Sequence, residues 1–268
     1  HVVFPLLHGP KGEDGSIQGL FELANIPYVG AGVLGSAVGM DKDVMKRLFL
    51  QKGIPTSDYV SFFEDEAHQF DFSTVKKKLG SPLFIKPANM GSSVGVSRVE
   101  SDKEYRSALK EAFSFDQKVL VEAYVDGREI EIGVLGDRKV QLSLAGEIVP
   151  NKDFYSYKSK YLDDAGAQLL APTELTNSQY ESLKDIAIKV FRCLECKGLA
   201  RVDCFWDRQE SRWLVNEINT MPGFTKISMY PKLWEKTGTS YSNLLDQLIE
   251  TAIDTHRLKS RLRVSYDS

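Results

Sequence analysis

Two apolar segments near the C-terminal end of the chain, Gly198 to Asp207 and Trp213 to Thr220, are rich in β-branched and aromatic residues, which predicts two strands. The residues between them, 208–212, are all polar and predict a hairpin loop. This hairpin is the feature that most constrains the fold. It fixes two antiparallel neighbours and, because side chains alternate along a strand, it fixes which residues share a face.

Charged side chains gather on one face of this hairpin. Arg201 and Asp203 share a face of the first strand, and Glu217 and Asn219 share a face of the second. The opposite face is predicted to be apolar: Ala200, Val202, Cys204, Trp206, Leu214 and Ile218. If the hairpin closes symmetrically, Asp203 lies opposite Glu217 with β-carbons roughly 5 Å apart, where like charges repel. Mg²⁺, which binds carboxylate and amide oxygens, would relieve this repulsion. The alternative is a solvated polar face, and spacing alone does not decide between the two.

The composition limits the class of protein. The chain has 268 residues, of which 42% are hydrophobic and 26% charged, typical of a soluble globular protein with two domains or one large one. A net charge of −3 argues against nucleic acid as a partner. No window approaches ~18 consecutive apolar residues, so no membrane span is expected. Because the chain opens at His1 and runs at once into a strand-like segment, we expect an N-terminally truncated piece of a longer protein.

The cysteines and histidines argue against a zinc site. Cys193 and Cys196 have the CxxC spacing, but they fall late in a helical pattern, and the four histidines are scattered. Three cysteines without a disulfide framework fit a reducing, cytoplasmic compartment better.

Capping residues predict where the helices begin. Asp41 is expected to cap a helix through Gln51, and Ser101 with Glu104 forms a capping-box sequence before a helix that ends at Phe113. Thr176 is expected to cap a helix that ends near Gly198, and Ser240 is expected to cap the last helix.

Strand and loop signals complete the predicted order. A strand is expected over 82–86 with its return over 94–99, and 118–124 and 129–135 are expected to pair as a hairpin around Asp126-Gly127. Residues 1–36 predict a strand, a glycine-rich loop, a helix from Ile17 to Ala24 and a second strand. The polar stretch 150–172 has no periodicity, which is typical of a functional or disordered loop.

Lysine and glycine mark a candidate phosphate site. Lys86 ends a predicted strand and is followed by a loop of glycines and serines, whose N–H groups suit phosphate oxygens. The alternative is an ordinary surface turn. Lys46, on a helix rich in charge, would by its pattern alone be a solvated lysine.

Three other segments leave two interpretations open. Glu129 and Glu131 share a strand face, and Glu122 interrupts an apolar strand. Glu122 therefore meets either a nucleotide or, as the pattern favours, a structural Lys or Arg. Gly30 to Gly35 matches GxGxxG, but the nearby helix is expected to begin near Asp41 and no acid follows about 20 residues later, which disfavours a dinucleotide site. Gly223 permits a close backbone approach to an oxyanion, or it makes a simple turn.

Taken in order, these pieces resemble the ATP-grasp carboxylate–amine ligases, and most closely the D-alanine–D-alanine ligase family. The matching segments are HGPKGEDG at 8–15, MDKDVMK at 40–46, KPANMGSSVG at 86–95, EAYVDGRE at 122–129, YSYKSKY at 155–161, RVD at 201–203 and EINTMPG at 217–223. The resemblance implies an α+β fold of the ATP-grasp type, in which two α+β subdomains clasp ATP. The implied parts are a remnant of an N-terminal α/β domain (1–36), a central subdomain (37–122) and a C-terminal subdomain (123–268).

The resemblance also implies roles at the nucleotide. Lys46 and Lys86 would hold the α- and β-phosphates of ATP, and Lys160 the γ-phosphate. Glu122 would accept the adenine amine, with Tyr124 and Val125 beside the base and Glu129 on the ribose. Asp203, Glu217 and Asn219 would hold two Mg²⁺ ions, with Mn²⁺ as the alternative. Glu217 would bridge the two ions.

Further implied roles concern the substrates. Arg201 and the backbone of Gly223 would stabilise a tetrahedral adduct, while Ser92 and Tyr161 would help to close the loop that carries Lys160. His8 would lie near the first D-alanine. The adjacent residues Ser228 and Met229 would hold the carboxylate of the second substrate.

The implied activity is the ATP-dependent ligation of two D-alanine molecules through D-alanyl phosphate, for peptidoglycan precursor synthesis. Expected partners are D-alanine and ATP, and members of the family are often homodimers. Two alternatives stay open: a ligase of another carboxylate and amine, or a nucleotide-binding fragment that is inactive for want of its N-terminal region. The family's N-terminal strand and glycine-rich loop, with the acid that holds the first amine, have no counterpart in this sequence.

Overall fold

Two antiparallel sheets form the frame of the protein in a computed structural model, which describes residues 1–150, 167–263 and 265–266. The first sheet has the strand order β1-β4-β2-β3: β1 (Tyr59–Phe63), β2 (Leu83–Pro87), β3 (Ser97–Val99) and β4 (Lys118–Ala123). The second has the order β7-β6-β5-β8-β9: β5 (Gly127–Gly136), β6 (Val140–Pro150), β7 (Ala167–Leu170), β8 (Gly198–Asp207) and β9 (Arg212–Asn219).

Helices surround both sheets, and a short 3₁₀ turn follows β1 (Glu64–Gln69). The helices are α1 (Ser16–Leu23), α2 (Val33–Met40), α3 (Lys42–Gln51), α4 (Phe72–Leu79), α5 (Asp102–Phe113), α6 (Asn177–Cys193), α7 (Met229–Lys236) and α8 (Tyr241–Lys259). Among the described residues, none of these helices is both long and apolar enough to cross a bilayer.

The predicted caps are confirmed at four helices. Asp41 accepts from the amides of Asp43 and Val44, and Ser101 forms its capping box with Glu104. The other two caps are also present: Thr176 on α6 and Ser240 on α8. The prediction that the helix after Thr176 ends near Gly198 is wrong, because α6 stops at Cys193 and β8 already begins at Gly198.

Each sheet has its own apolar core. The first packs against α4 and α5 through buried residues that include Phe62, Ile85 and Tyr105. The second packs against α6 and α3 through a cluster that includes Ile132 and Val202. Because the inner faces are filled, the polar faces of β5, β8 and β9 are left to line a cleft.

The predicted hairpin between 118–124 and 129–135 is wrong. β4 pairs with β1 on one edge and β2 on the other, while β5 pairs with β6 and β8 in the second sheet. Both edges of β4 are therefore occupied, and residues 124–126 connect the two sheets instead of closing a turn. The faces of β5 are as predicted, since Ile130, Ile132 and Val134 are in the core.

The N-terminal region also differs in part. The two predicted strands are reduced to one parallel bridge between Val3 and Tyr28. A helix, α2, opens inside the GxGxxG motif, ahead of the predicted helix that Asp41 caps, so the expectation that the helix near this motif begins only at Asp41 is wrong. The glycines serve close packing: a Cβ on Gly35 would lie 3.0 Å from the carbonyl oxygen of Leu194, and one on Gly198 would lie 2.9 Å from the nitrogen of Gly30.

The β8–β9 hairpin has the predicted register at its polar end. Asp203 pairs with Glu217, and Arg201 pairs with Asn219. The register then shifts, because Cys204 pairs with Val215 and Asn216 becomes the extra residue of a β-bulge.

The bulge corrects one predicted orientation. Leu214 is opposite Phe205, so it shares the face of Asp203 and not that of Ile218. Val215 takes the core position in its place.

Candidate active-site cleft

Two cavities of about 280 and 290 Å³ adjoin one another on the polar side of the β8–β9 hairpin. We call the first the α7-side cavity, because Ser228 and Met229 line it, and the second the β4-side cavity, because the end of β4 lines it. Six residues line both: Lys42, Ser92, Glu131, Ile148, Arg201 and Glu217. The cavities therefore form one cleft with a shared middle.

A buried cluster of two lysines and one glutamate lies at the β4 side. Lys86 Nζ is 2.8 Å from one carboxylate oxygen of Glu122, and Lys46 Nζ is 3.2 Å from the other. Lys46 also donates to the hydroxyls of Thr56 and Ser57, at 2.7 and 2.9 Å. Burial would raise the pKa of Glu122, but the charges of the two lysines outweigh it and lower the pKa to about 2.

The two lysines differ in access. Lys86 lines the β4-side cavity, whereas Lys46 is fully buried behind Glu122 and does not line it. Burial lowers the pKa of Lys46. For Lys86 burial acts in the same direction, but the charge of Glu122 outweighs it and raises the pKa. The expectation of a solvated Lys46 is wrong, and of these two lysines only Lys86 lines the cavity, while the phosphate contacts implied for both stay predictions.

Glu122 pairs with structural lysines, as the second of its two interpretations predicted. Both of its oxygens face lysines, and the residue is only 3% exposed. A carboxylate has further lone pairs, and Glu122 lines the cavity wall, so a contact with an adenine amine stays a prediction.

Aromatic residues and a second carboxylate line the outer part of the β4-side cavity. The rings of Phe84 and Tyr124 are stacked, with centroids 6.2 Å apart. Val125 and Glu129 line the same cavity. A flat aromatic wall beside carboxylates suits a purine base and its ribose.

The middle of the cleft is acidic, and two cations hold its carboxylates. Arg201 Nε and Nη2 donate to the two oxygens of Asp203 at 2.7 and 2.6 Å, and Nε is 3.2 Å from Glu131. Burial would lower the pKa of Arg201, but the charges of Asp203 and Glu131 raise it instead. Lys42 Nζ lies 3.4 Å from Glu217. The like charges expected on this face are thus compensated by Arg201 and Lys42.

The donor set of this region fits a divalent cation. The carboxylates of Asp203 and Glu217 stand on paired residues, and the amide oxygen of Asn219 accepts from the Met221 N–H at 2.9 Å, which leaves one lone pair for a metal. Within the described part of the chain, no three His, Cys, Asp or Glu side chains are gathered as a metal cluster. A metal would therefore have to replace the contacts that Arg201 and Lys42 make with the two carboxylates.

The α7-side cavity collects the predicted substrate residues. His8, Ser92, Arg201, Gly223, Ser228 and Met229 all line it. A Cβ on Gly223 would lie 2.7 Å from the hydroxyl of Ser228, so a larger residue there would require the Ser228 side chain to shift. The hydrogen bond with Glu13 raises the pKa of His8 against the opposing effect of burial.

The loop over 88–96 brings Ser92 between the two cavities. Ser92 and Ser93 have φ values of 56° and 60°, in the left-handed region that residues with a Cβ seldom adopt. Lys160 and Tyr161, which have roles implied by the resemblance, lie outside the described residues.

Sequence reasoning missed two residues of the cleft, Lys42 and Asn216, and it gave Glu131 a place on a strand face but no role. Lys42 precedes Lys46 by one helical turn, and Glu131 shares the strand face of Glu129, so both were signalled by periodicity. Asn216 accepts from Lys86 Nζ at 3.2 Å because of the bulge, for which the sequence gives no signal.

Two α+β units that enclose a cleft with lysines at one end and paired carboxylates in its middle define the ATP-grasp class. Sequence models of two parts of one family match the chain: "D-ala D-ala ligase N-terminus" over residues 1–31 and "D-ala D-ala ligase C-terminus" over residues 48–250. The chain belongs to the D-alanine–D-alanine ligase family.

Individual relatives agree with this assignment. The D-alanine–D-alanine ligase of Oceanobacillus iheyensis is 50% identical over 98% of the chain and 72% of its own length. D-alanine–D-alanine ligase A of Chromobacterium violaceum is 51% identical over 97% and 71%.

Solved structures agree as well. The D-alanine–D-alanine ligase of Coxiella burnetii superposes with a TM-score of 0.87 at 42% identity, covering 97% of this chain and 70% of that one. The VanG D-Ala:D-Ser ligase of Enterococcus faecalis gives 0.86 at 36% identity, over 94% and 72%.

Proposed function

We propose that the chain carries out the reaction of its family, the ATP-dependent ligation of two D-alanine molecules to D-alanyl-D-alanine for peptidoglycan precursors. One observation supports this most directly. Apart from Lys46, which is buried, and Lys160, which is not described, the residues expected to hold nucleotide line one cavity, those expected to hold the amino acids line the other, and Arg201 and Glu217 line both. A phosphoryl group and a carboxylate can therefore meet in the middle of the cleft.

The chemistry explains why the cleft needs charge rather than a nucleophilic side chain. A carboxylate is a poor electrophile, so its oxygen first takes the γ-phosphoryl group of ATP, giving D-alanyl phosphate and ADP. The amine of the second D-alanine then attacks the acyl carbon and phosphate leaves. Protein groups chiefly position the reactants and neutralise charge.

At the β4 side, we assign Lys86 to the phosphates of ATP, since its ammonium lines the cavity. Glu122 and Lys46 stand behind it and hold it in place. Phe84 and Tyr124, with Val125, would face the base, and Glu129 the ribose. Lys160, whose structure is not described, keeps its role at the γ-phosphate as a prediction.

Asp203, Glu217 and Asn219 would hold two Mg²⁺ or Mn²⁺ ions, with Glu217 shared between them. Bound there, the metals would neutralise charge on the transferring phosphoryl group. A metal at Asp203 would compete with Arg201 for this carboxylate, whereas Glu131 is a second carboxylate partner of Arg201.

At the α7 side, Arg201 and the N–H of Gly223 would stabilise the oxyanion of the tetrahedral adduct. Ser228 caps α7 without a side-chain cap bond, and the N-terminal end of this helix favours a carboxylate, here that of the second D-alanine. His8 would lie near the first D-alanine. Ser92 and Tyr161 keep their predicted part in closing the substrate site.

Three further expectations belong to this proposal. The division into 1–36, 37–122 and 123–268 assigns the N-terminal remnant and the two halves of the clasp. A cytoplasmic location fits the three free cysteines and the need for ATP. A homodimer is expected because members of the family often form one, and sedimentation of the purified protein would measure its oligomeric state.

The test is a phosphate-release assay with ATP, Mg²⁺ and either D-alanine or L-alanine, together with mass spectrometry of the product. We expect release and D-alanyl-D-alanine only with the D-isomer. Equal release with both isomers, or none with a parent protein of full family length, would contradict the proposal.

The chain also superposes on a D-Ala:D-Ser ligase, with a shared fold that does not distinguish the acceptor. D-Serine therefore belongs in the assay with D-alanine. A D-alanyl-D-serine product in excess at equal concentrations would move the assignment to this substrate pair. Calorimetry that shows ATP–Mg²⁺ binding without phosphate release would instead identify a binding fragment.

A further inference from the structure

The loop over 88–96 reaches the middle of the cleft, and its backbone is strained there. Met90, Ser92 and Ser93 line the β4-side cavity, and Ser92 also lines the α7-side cavity. Ser92 and Ser93 have left-handed φ values, which persist only where the surrounding structure determines the backbone. The loop therefore needs anchors that hold its two ends.

The anchor at the start of the loop is Asp116, which lies between α5 and β4 in a turn of residues 114–117 that we call the α5–β4 turn. One carboxylate oxygen of Asp116 accepts from the backbone N–H of Asn89 at 2.7 Å and from its side-chain amide at 3.0 Å. The other oxygen accepts from the N–H of Lys118, the first residue of β4, at 3.2 Å. Asp116 thus ties the loop to the start of the neighbouring strand.

Asn89 lies where the loop leaves the sheet. The preceding residue, Ala88, is fully buried, and its N–H still donates to the carbonyl of Lys118 at 2.9 Å. One residue later, the N–H of Asn89 donates to a carboxylate instead of a strand. A hydrogen bond to an ionised acceptor is stronger than one between neutral groups, so this contact fixes the direction in which the loop departs.

The anchor at the end of the loop is Phe115, in the same turn. Gly95 has a φ of 69°, and a Cβ there would lie 2.8 Å from a ring carbon of Phe115 and 2.8 Å from one of Pro87. The backbone at Gly95 therefore packs closely against both rings. Two adjacent residues, Phe115 and Asp116, hold the two ends of the loop, and neither of them lines the cleft.

We propose that the α5–β4 turn positions the 88–96 loop for nucleotide binding, with Asp116 and Asn89 as positioning residues that touch no substrate. Because the loop is ordered before ATP arrives, binding costs less ordering of the chain. Loss of the anchor raises the nucleotide concentration that the cleft needs, while the chemical step at saturating ATP is nearly unchanged. This inference rests on the proposed function, because it takes the β4-side cavity as the nucleotide site.

The first test replaces the anchor. Asp116→Ala removes both bonds to Asn89, so KM for ATP should rise about tenfold while kcat stays within about twofold of wild type. The dissociation constant of ADP in the presence of Mg²⁺, measured by calorimetry, should rise by the same factor without any need for turnover. A residue that only stabilised the fold would lower the unfolding temperature without separating KM from kcat.

Asp71→Ala is the matched control. Asp71 also fixes backbone in the half of the molecule that contains the first sheet, because it caps α4 and accepts from the N–H of Thr74 at 2.8 Å. The control should lower the unfolding temperature and leave KM for ATP within about twofold of wild type.

Two milder variants guard against a failure of Asp116→Ala to fold. Asp116→Asn keeps an oxygen that can accept from Asn89, so it should recover most of the wild-type affinity for ATP. Asn89→Ala removes the side-chain bond alone and should raise KM for ATP about threefold. Wild-type KM in Asn89→Ala and in folded Asp116→Ala would overturn the proposal.

The second test measures the loop itself by hydrogen exchange without nucleotide. A peptide that covers 88–96 should exchange about tenfold faster in Asp116→Ala, while a peptide from α6 is unchanged. Saturating ADP should slow the exchange of this peptide towards the wild-type rate, because the ligand then orders the loop. Wild-type exchange of the loop in the folded variant would also overturn the proposal.

ADP binding by wild type separates failure of this inference from failure of the proposed function. If wild type binds no ADP, the assigned nucleotide site is wrong and the positioning role falls with it. If wild type binds ADP but Asp116→Ala changes neither exchange nor KM, only the present inference fails. The double variant with Asn89→Ala should be no worse than Asp116→Ala alone, because both changes break one contact, and additive losses would contradict a shared anchor.

Discussion

The two charged regions of the cleft are built in opposite ways. At the β4 side, two ammonium groups surround one carboxylate, and the residues are almost fully buried: Lys46, Lys86 and Glu122. In the middle, three carboxylates share two cations: Glu131, Asp203 and Glu217 with Arg201 and Lys42. The first region has a surplus of positive charge and the second a surplus of negative charge.

The difference indicates what each region lacks. A surplus ammonium at the cavity wall suits a phosphate, and surplus carboxylates suit a divalent metal. Exposure separates two of these carboxylates. Glu122, paired with two lysines, is 3% exposed, whereas the side chain of Glu217, which we expect a metal to complete, is 30% exposed. Asp203, which Arg201 already compensates, is as buried as Glu122, so Glu217 is the accessible carboxylate of the proposed metal site.

The largest effect should come from the acidic region. Glu217→Gln keeps the shape but removes a charge that is proposed to bind both metals, so kcat should fall by at least about 1,000-fold. The unfolding temperature should change by only a few degrees, because the side chain is partly exposed and Lys42 retains Met90. Steady-state kinetics and thermal denaturation measure the two quantities.

Glu210→Gln in the exposed loop between β8 and β9 is the control for that change. It should leave turnover at the wild-type value. A Glu217→Gln enzyme with wild-type turnover would show that the acidic region binds no catalytic metal. The surplus of carboxylates there would then not be explained by metal binding.

The next effect should come from the cationic region. Lys86→Met removes the ammonium that lines the cavity and should lower kcat/KM for ATP by about 100-fold, mainly through KM. Lys77→Met on the exposed side of α4 is the control. If Lys86→Met changes the metal requirement and not the ATP requirement, the two regions are not specialised as described.

The sequence predicted the register of the hairpin because alternation and loop length depend on neighbouring residues. Asp203 opposite Glu217 followed from these rules, as did the caps at Asp41 and Ser101. Most candidate residues were also brought together, since they lie in strands and loops with strong local signals.

What the sequence could not predict depends on contacts between distant segments. The pairing of β4 with β1 and β2 depends on which edges are free in the folded sheet. Burial of Lys46 depends on Glu122, which is far along the chain, and the bulge at Asn216 leaves no pattern in composition or period.

A smaller effect concerns stability. The pKa of Glu122 is lowered to about 2, from an ordinary value of 4.5, by Lys46 and Lys86 against the effect of burial. Its ionised form therefore contributes stability above pH 4.5 that is lost as the pH falls towards 2. The stability advantage of wild type over Glu122→Gln should therefore shrink by about 2 kcal/mol between pH 5 and pH 3.

Urea unfolding at each pH measures this difference. Glu111→Gln on the exposed face of α5 gives the reference for removing a surface carboxylate. If the stability gap between wild type and Glu122→Gln stayed constant from pH 5 to pH 3, the two lysines would not be holding this carboxylate in its ionised form.

The smallest effect should come from the bulge residue between the two regions. Asn216 accepts from Lys86 of the cationic region, and its neighbour Glu217 contacts Lys42 in the acidic region. Adjacent residues of β9 therefore belong to different regions. Asn216→Ala removes one hydrogen bond to a charged group in a partly exposed position, so KM for ATP should rise only about threefold to tenfold. The Mn²⁺ dissociation constant and kcat at saturating ATP should not change. A change in metal affinity instead would mean that the bulge sets the position of Glu217 and that the two regions act as one electrostatic unit.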